Sequence, residues 1–386
     1  MKRDPILAIR LPTSKGMEEF PVHEPRAFQR PTKPLTRKAL AAAHVVADPL
    51  SSKEPWLDSA IDWHATLAYR RHLWSWGFGV AEAMDTAQRG MGLDWANSLE
   101  LIRRSVQEAS KGDVIASGAG TDHLAGGKTY SLQEIIAAYE EQCAAIESLG
   151  GRIILMASRA LAASAKSPDD YVKVYDRILS QVKEPVIIHW LGEMFDPALE
   201  GYWGKKDHYE AMDACLAVLK KNVDGIKISL LDKDKEIVMR RKLPQGVRMY
   251  TGDDFNFAEL IGGDEQGYSD ALLGIFDSIA PAASQALSHL SERNIAEYHE
   301  VLAPTVPLSR HIFKAPTRFY KTGVVFMAYL NGLQNHFTMV GGQESARSTL
   351  HLAELFRLAD AAGLLGDPDR AASRMRHVMA VHGVAA

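Results

Sequence analysis

Short apolar runs alternate with longer amphipathic segments from residue 38 onward, and the alternation is kept through eight runs. A strand that recurs after a helical segment must return to the same edge direction, so the pattern builds a parallel sheet with helices outside it. Eight repeats are the number that closes such a sheet into a barrel. The strand candidates are residues 40–46, 77–83, 113–118, 152–156, 185–190, 225–228, 248–252 and 267–272. Between them, residues 61–76 and 95–109 carry apolar side chains at helical spacing, the second with Asn97 or Ser98 as its cap. Ser131 and Glu134, three apart, form a capping-box signature for a helix running to Leu149. The chain is therefore expected to be an α/β protein, a (β/α)₈ TIM barrel.

The 386 residues exceed what such a barrel requires, about 250. Residues 1–37 carry several prolines without clear periodicity and are expected to be an N-terminal extension. The barrel is placed at 38–280, and 281–386 are expected to be additional C-terminal helices, one of them unusually apolar near 322–333.

Composition narrows the class of function. With 46% hydrophobic and 24% charged residues, the chain has the balance of a water-soluble globular protein. A net charge of -4 with no basic run gives no field for nucleic acid or anionic lipid, so neither is an expected partner. No stretch approaches the roughly 20 apolar residues of a membrane span, and the start lacks the features of a secretory signal, so a cytoplasmic location is expected. Cys143 and Cys215 are the only cysteines, too few for a disulfide framework or a cysteine zinc site.

The most informative local feature is a lysine between isoleucines, Gly225-Ile226-Lys227-Ile228. Strand alternation puts Lys227 on the face opposite both isoleucines. If the isoleucines pack outward, Lys227 points into the barrel, where desolvation lowers its pKa and readies the amine to attack a carbonyl. The local pattern also admits a lysine whose ammonium snorkels to solvent or pairs with Asp232.

Several segments resemble the dihydrodipicolinate synthase and N-acetylneuraminate lyase family, in colinear order over residues 38–365. Ile226-Lys227 is similar to the family's Gly-x-Lys Schiff-base motif, and Pro185-Val186-Ile187-Ile188 resembles its fifth strand. Tyr250-Thr251-Gly252-Asp253-Asp254 is similar to its strand-seven Gly-Asp-Asp segment, while Gly267 and Pro281 match the strand-eight pattern. The resemblance implies class I aldolase-like chemistry with Lys227 as nucleophile, no cofactor and no resident metal. It also implies a homo-oligomer, a homodimer or homotetramer.

The chain departs from the family where substrate and mechanism are decided. His189-Trp190 stands in place of the usual Tyr-Asn after strand five, which makes His189 the candidate general acid/base; a hydrogen-bonded core histidine is the alternative. Trp190 is expected as a pocket wall or as core. The family's carboxylate-binding loop after strand two falls at residues 84–89, where Asp85, Thr86 and Arg89 are the candidate substrate contacts. Asp85 would repel a substrate carboxylate unless Arg89 or a metal offsets it. The strand-four tyrosines of the family's proton relay are absent, since Met156-Ala157-Ser158-Arg159 stands there. Gly252, Asp253 and Asp254 complete the expected substrate-binding set, with turn and helix-cap chemistry as the other reading of the aspartates.

Together these residues suggest a carbon-carbon or carbon-oxygen lyase, an aldolase or dehydratase of carbohydrate metabolism, acting on a keto sugar or other hydroxylated carbonyl compound. Two other readings remain. A metal-dependent barrel would draw on His44, Asp48, Asp85, Asp122, His123 and His189, although no tight ligand motif joins them. A non-catalytic barrel that binds a sugar-like ligand would leave Lys227 buried with no reaction to perform.

Overall fold

The computed structural model describes residues 3–384 apart from Lys221. These form two compact units. One comprises Arg37–Ala43 and Phe78–Gly274; the other comprises the described residues up to Thr36, His44–Gly77 and those from Ile275 onward. This division cuts across the sequence-based boundaries, because residues 44–77 belong with the C-terminal helices and not with the barrel strands that flank them in sequence.

The residues expected to be an N-terminal extension contain an antiparallel hairpin, β1 (Pro5–Thr13) and β2 (Gly16–His23). Pro5, Pro12 and Pro21 obscured its alternation, yet Ile9, Leu11 and Val22 are buried in it. A two-stranded ribbon is all edge, so proline is tolerated there. In the same unit Phe20 meets Phe356 edge-on at 6.4 Å, and the backbone amide of His23 donates to Asp360 at 2.9 Å. The helix Tyr320–Leu330 is buried at every position, which is why it is apolar on all faces.

The first unit is the barrel. Its strands are β3 (Ala39–Ala42), β4 (Gly79–Glu82), β5 (Ile115–Ala119), β6 (Arg152–Leu155), β7 (Val186–Leu191), β8 (Val223–Ser229), β9 (Arg248–Thr251) and β10 (Asp270–Leu273). They pair in parallel in chain order, and β10 closes onto β3, so the structure is a (β/α)₈ barrel. Leu40, Ala42, Ala81, Ala116, Ile154, Ile187, Tyr250 and Leu272 fill its interior. The strand β8 adds only glycine at that level. A Cβ at Gly225 would lie 2.7 Å from the Tyr250 ring, so the tyrosine occupies the space a side chain would take.

Element ends follow local chemistry more closely than periodicity does. Asp94, not Asn97 or Ser98, caps the helix Trp95–Glu108 by accepting from the Asn97 amide at 2.8 Å. At Ser131 the expected capping box is present, with the Ser131 amide donating to Glu134 at 2.7 Å and the Glu134 amide donating back to Ser131 Oγ at 3.3 Å. Cys143 and Cys215 are free and buried. Among the described residues no helix is long and apolar enough to cross a membrane.

Candidate active site

Register decides where the lysine points. Lys227 on β8 is paired with Tyr250 on β9 and with His189 on β7. Register partners in neighbouring strands project to the same face, and Tyr250 is an interior residue, so Lys227 and His189 also project inward. Ile226 and Ile228 are buried on the opposite face, as the Ile-Lys-Ile pattern predicted.

Lys227 is 7% exposed. Burial lowers its amine to about 8, while the carboxylates of Asp254 and Asp85 favour the ammonium and hold it from falling further. The snorkelling alternative, with Asp232 as partner, does not describe this lysine: the Asp232 carboxylate caps the helix Lys233–Lys242 and pairs with Lys235 at 3.1 Å.

His189 is fully enclosed. Burial, and secondarily the charge of Lys227, keep its imidazole well below the ordinary histidine range, so it is neutral at neutral pH. Its Nε2 lies 3.2 Å from Ser229 Oγ, and its Nδ1 is buried with no hydrogen-bond partner. Ser229 was missed by sequence reasoning, although its position two residues after Lys227 on the same strand face would have found it.

The turn after β9 is shaped by the lysine. A Cβ at Gly252 would lie 2.2 Å from Ser229 Oγ and 2.7 Å from both Ile228 O and Lys227 Cε, so only glycine lets this backbone pass. The two aspartates that follow divide their roles. Asp253 Oδ1 accepts from the Phe255 amide at 2.8 Å and the Asn256 amide at 3.0 Å, and Oδ2 accepts from Asn256 Nδ2 at 2.8 Å. Asp253 is thus committed to the turn. Asp254, by contrast, acts directly on Lys227.

A cavity of about 740 Å³ opens along the ends of β4 to β7 and includes Asp85, Thr121, Asp122, Tyr130, Arg159 and Leu191 in its lining. Asp85 belongs to both environments, since it lines the cavity and stabilises the Lys227 ammonium. Thr86 is buried in the short turn Asp85–Ala87. Arg89 lines the cavity, but its guanidinium grips Asp122 through two bonds, Nε to Oδ2 at 2.9 Å and Nη2 to Oδ1 at 2.6 Å. It also donates to Gln142 and to the Gly118 carbonyl. Its charge is therefore already balanced inside the wall.

Trp190 does not join this group. It alternates with His189 and faces outward, where its ring meets Trp203 at 6.3 Å and His208 at 5.9 Å, both edge-on. The same alternation that turns His189 inward turns its neighbour into packing between sheet and helix.

The residues of the metal-dependent reading are dispersed into separate bonds. His44 Nδ1 pairs with Asp277 at 2.8 Å and its Nε2 lies 3.0 Å from Gln334, while Asp122 holds Arg89. Among the described residues no group of three or more His, Cys, Asp or Glu is arranged to hold a metal ion.

Comparison with known proteins places this geometry in context. A family model described as "Protein of unknown function (DUF993)" matches residues 9–384. No curated protein matches the chain. Among solved structures, a putative dihydrodipicolinate synthetase from Pseudomonas aeruginosa superposes with a TM-score of 0.64 at 14% identity, covering 84% of this chain and 99% of that one. A prophage protein of the dihydrodipicolinic acid synthase family from E. coli K12, in complex with pyruvate, gives 0.64 at 13% identity, covering 86% and 99%. The chloride-inhibited dihydrodipicolinate synthase from Acinetobacter baumannii, also complexed with pyruvate, gives 0.63 at 17% identity, covering 85% and 99%. The resemblance read from the sequence thus holds at the level of the fold.

Proposed function

We infer that this chain, which belongs to the DUF993 family, is a Schiff-base-forming lyase that acts on a hydroxylated ketone or keto sugar. The observation that carries the reading is the enclosure of the Lys227 amine inside the barrel, register-paired with His189 and coupled through Asp85 to a cavity.

The neutral Lys227 amine adds to the substrate carbonyl carbon, and loss of water gives a protonated imine. That cation draws the electron pair of the neighbouring carbon-carbon bond as the bond breaks. The proton of the β-hydroxyl passes to His189, which burial keeps neutral and able to accept it. Protonation of the resulting enamine at carbon and hydrolysis of the imine return the free amine. Run backward, the same steps join two carbonyl compounds. If the imine instead loses its α-proton, the enamine so formed keeps the β-carbon, and expulsion of the β-hydroxyl as water would make the enzyme a dehydratase.

The charge pattern supports a polyhydroxylated substrate over a simple keto acid. Two carboxylates, Asp85 and Asp254, flank the amine, and the Arg89 charge is bound to Asp122. The two carboxylates accept hydrogen bonds from hydroxyls and repel a substrate carboxylate. The cavity volume is within the range of sites for sugar-sized ligands, roughly 300–1,000 Å³.

Borohydride reduction in the presence of ketoses, keto sugars and α-keto acids, followed by peptide mass analysis, tests the reading. A stable adduct on the Lys227 peptide is expected, its mass giving the carbonyl partner. No adduct from any pool, with ligand binding unchanged in Lys227→Ala, would remove Lys227 as nucleophile.

A further inference from the structure

The unit outside the barrel holds a second group of chemically capable side chains. His311, Lys314, Arg347, Ser348, His351 and Glu354 line a surface depression of about 380 Å³. His351 is only 5% exposed, yet neither of its ring nitrogens has a hydrogen-bond partner. Its ring stacks on that of His311 with centroids 4.2 Å apart and planes 19° from parallel.

The neighbours of His351 are committed in a way that leaves donors over. His311 Nε2 donates to the His351 carbonyl at 2.9 Å, and its Nδ1 faces Lys314 Nζ at 3.5 Å. Arg347 donates through its two terminal nitrogens to the carbonyls of Ile312, Lys314, Ala315 and Pro316. Its Nε is buried without an acceptor. The helix Thr349–Ala361 begins at the same point, with Ser348 Oγ accepting from the His351 amide at 3.2 Å. The amides of Thr349 and Leu350 have no acceptor within the helix and carry the positive end of its dipole. Glu354 is the one carboxylate in the lining, and Arg357 lies 3.5 Å from it.

Arg347 and His351, each with buried side-chain nitrogens that lack a partner, the exposed Lys314 and the start of the helix Thr349–Ala361 all border one depression. Buried polar atoms are almost always bonded, so donors left over together point to a missing acceptor. We propose that this depression binds a small oxyanion, the phosphate or carboxylate group of a metabolite, through Arg347 Nε, the His351 ring and the Lys314 ammonium. Glu354 at the rim selects against a second negative charge beside the first.

The test uses the full chain and inorganic phosphate, with acetate as a parallel probe, followed by calorimetry and by the C2 proton resonances of His311 and His351. A saturable phosphate-dependent shift of both resonances is expected, weakened about tenfold or more by Lys314→Glu, which loses one charged contact at an exposed position. His351→Asn is the second variant and should weaken binding while assigning its own resonance. Binding of acetate as well as phosphate would identify a general oxyanion site, and binding of phosphate alone a phosphoryl site. Absence of saturable binding of either probe, or equal affinity in both variants and the parent chain, would overturn the proposal.

Discussion

His189 on β7 and Lys227 on β8 are register partners across adjacent parallel strands, so their side chains leave the sheet at one level of the barrel interior. The lysine lowers the proton affinity of the histidine. The lysine charge disfavours imidazolium, and burial of both groups disfavours either cation. The pair is thereby set toward a free amine beside a neutral imidazole, the protonation state that imine formation and proton removal both require.

The pH dependence of amine reactivity follows from this. The ammonium of Lys227 loses its proton near pH 8, so adduct formation should rise with pH through that midpoint and level off above it. Asp254 favours the ammonium, so Asp254→Asn removes a negative charge that raises the pKa, and the midpoint should move down by about one pH unit. The rate of borohydride-trapped adduct formation against pH measures it. A midpoint that moves upward, or does not move, would separate Asp254 from the lysine.

Gly252 should not accept even one methyl group. The added Cβ of Gly252→Ala meets Ile228 O and Lys227 Cε at 2.7 Å, and the backbone carbonyl cannot yield as a flexible side chain could. Overpacking of this kind costs about 1–3 kcal/mol, and displacement of the amine should lower turnover by on the order of a hundredfold. Chemical denaturation and adduct trapping read the two effects separately. Unchanged trapping in a folded variant would mean that the lysine tolerates a displaced turn.

The barrel was legible because eight apolar runs in order leave few other topologies, and Lys227 because alternation between two isoleucines fixes its face. The same rule, applied one residue further, would have sent Trp190 outward and brought in Ser229. What the sequence could not supply was the commitment of polar groups to one another. Arg89 and Asp122 are 33 residues apart and form a bidentate pair within the wall. Asp253 and Asp254 are identical neighbours, and only the geometry of the turn gives one to the backbone and the other to the lysine. The hairpin of β1 and β2 was hidden for a different reason, since its prolines break the alternation that a half-exposed ribbon would otherwise display.

Glu236 provides a test of the barrel wall independent of the active site. Its carboxyl group accepts from Thr251 Oγ1 at 2.9 Å and from Ser269 Oγ at 2.6 Å in a fully buried position. Burial, reinforced by the charge of Asp253, raises it to about 8 against the two hydroxyl bonds that lower it. The native state therefore binds a proton that the unfolded chain releases near the ordinary carboxylate value of about 4.3. Stability from this group is fully present below that value and is lost as pH rises through about 8. Glu236→Gln keeps an acceptor and a donor, as the protonated carboxyl has, without a titrating charge, so the loss should disappear. The variant is expected to exceed the parent chain in stability at pH 9 by on the order of 2 kcal/mol and to differ little near pH 5. Urea denaturation at both pH values checks this; equal pH dependence in the two proteins would mean that Glu236 is ionised within the wall, held there by its hydroxyl partners alone.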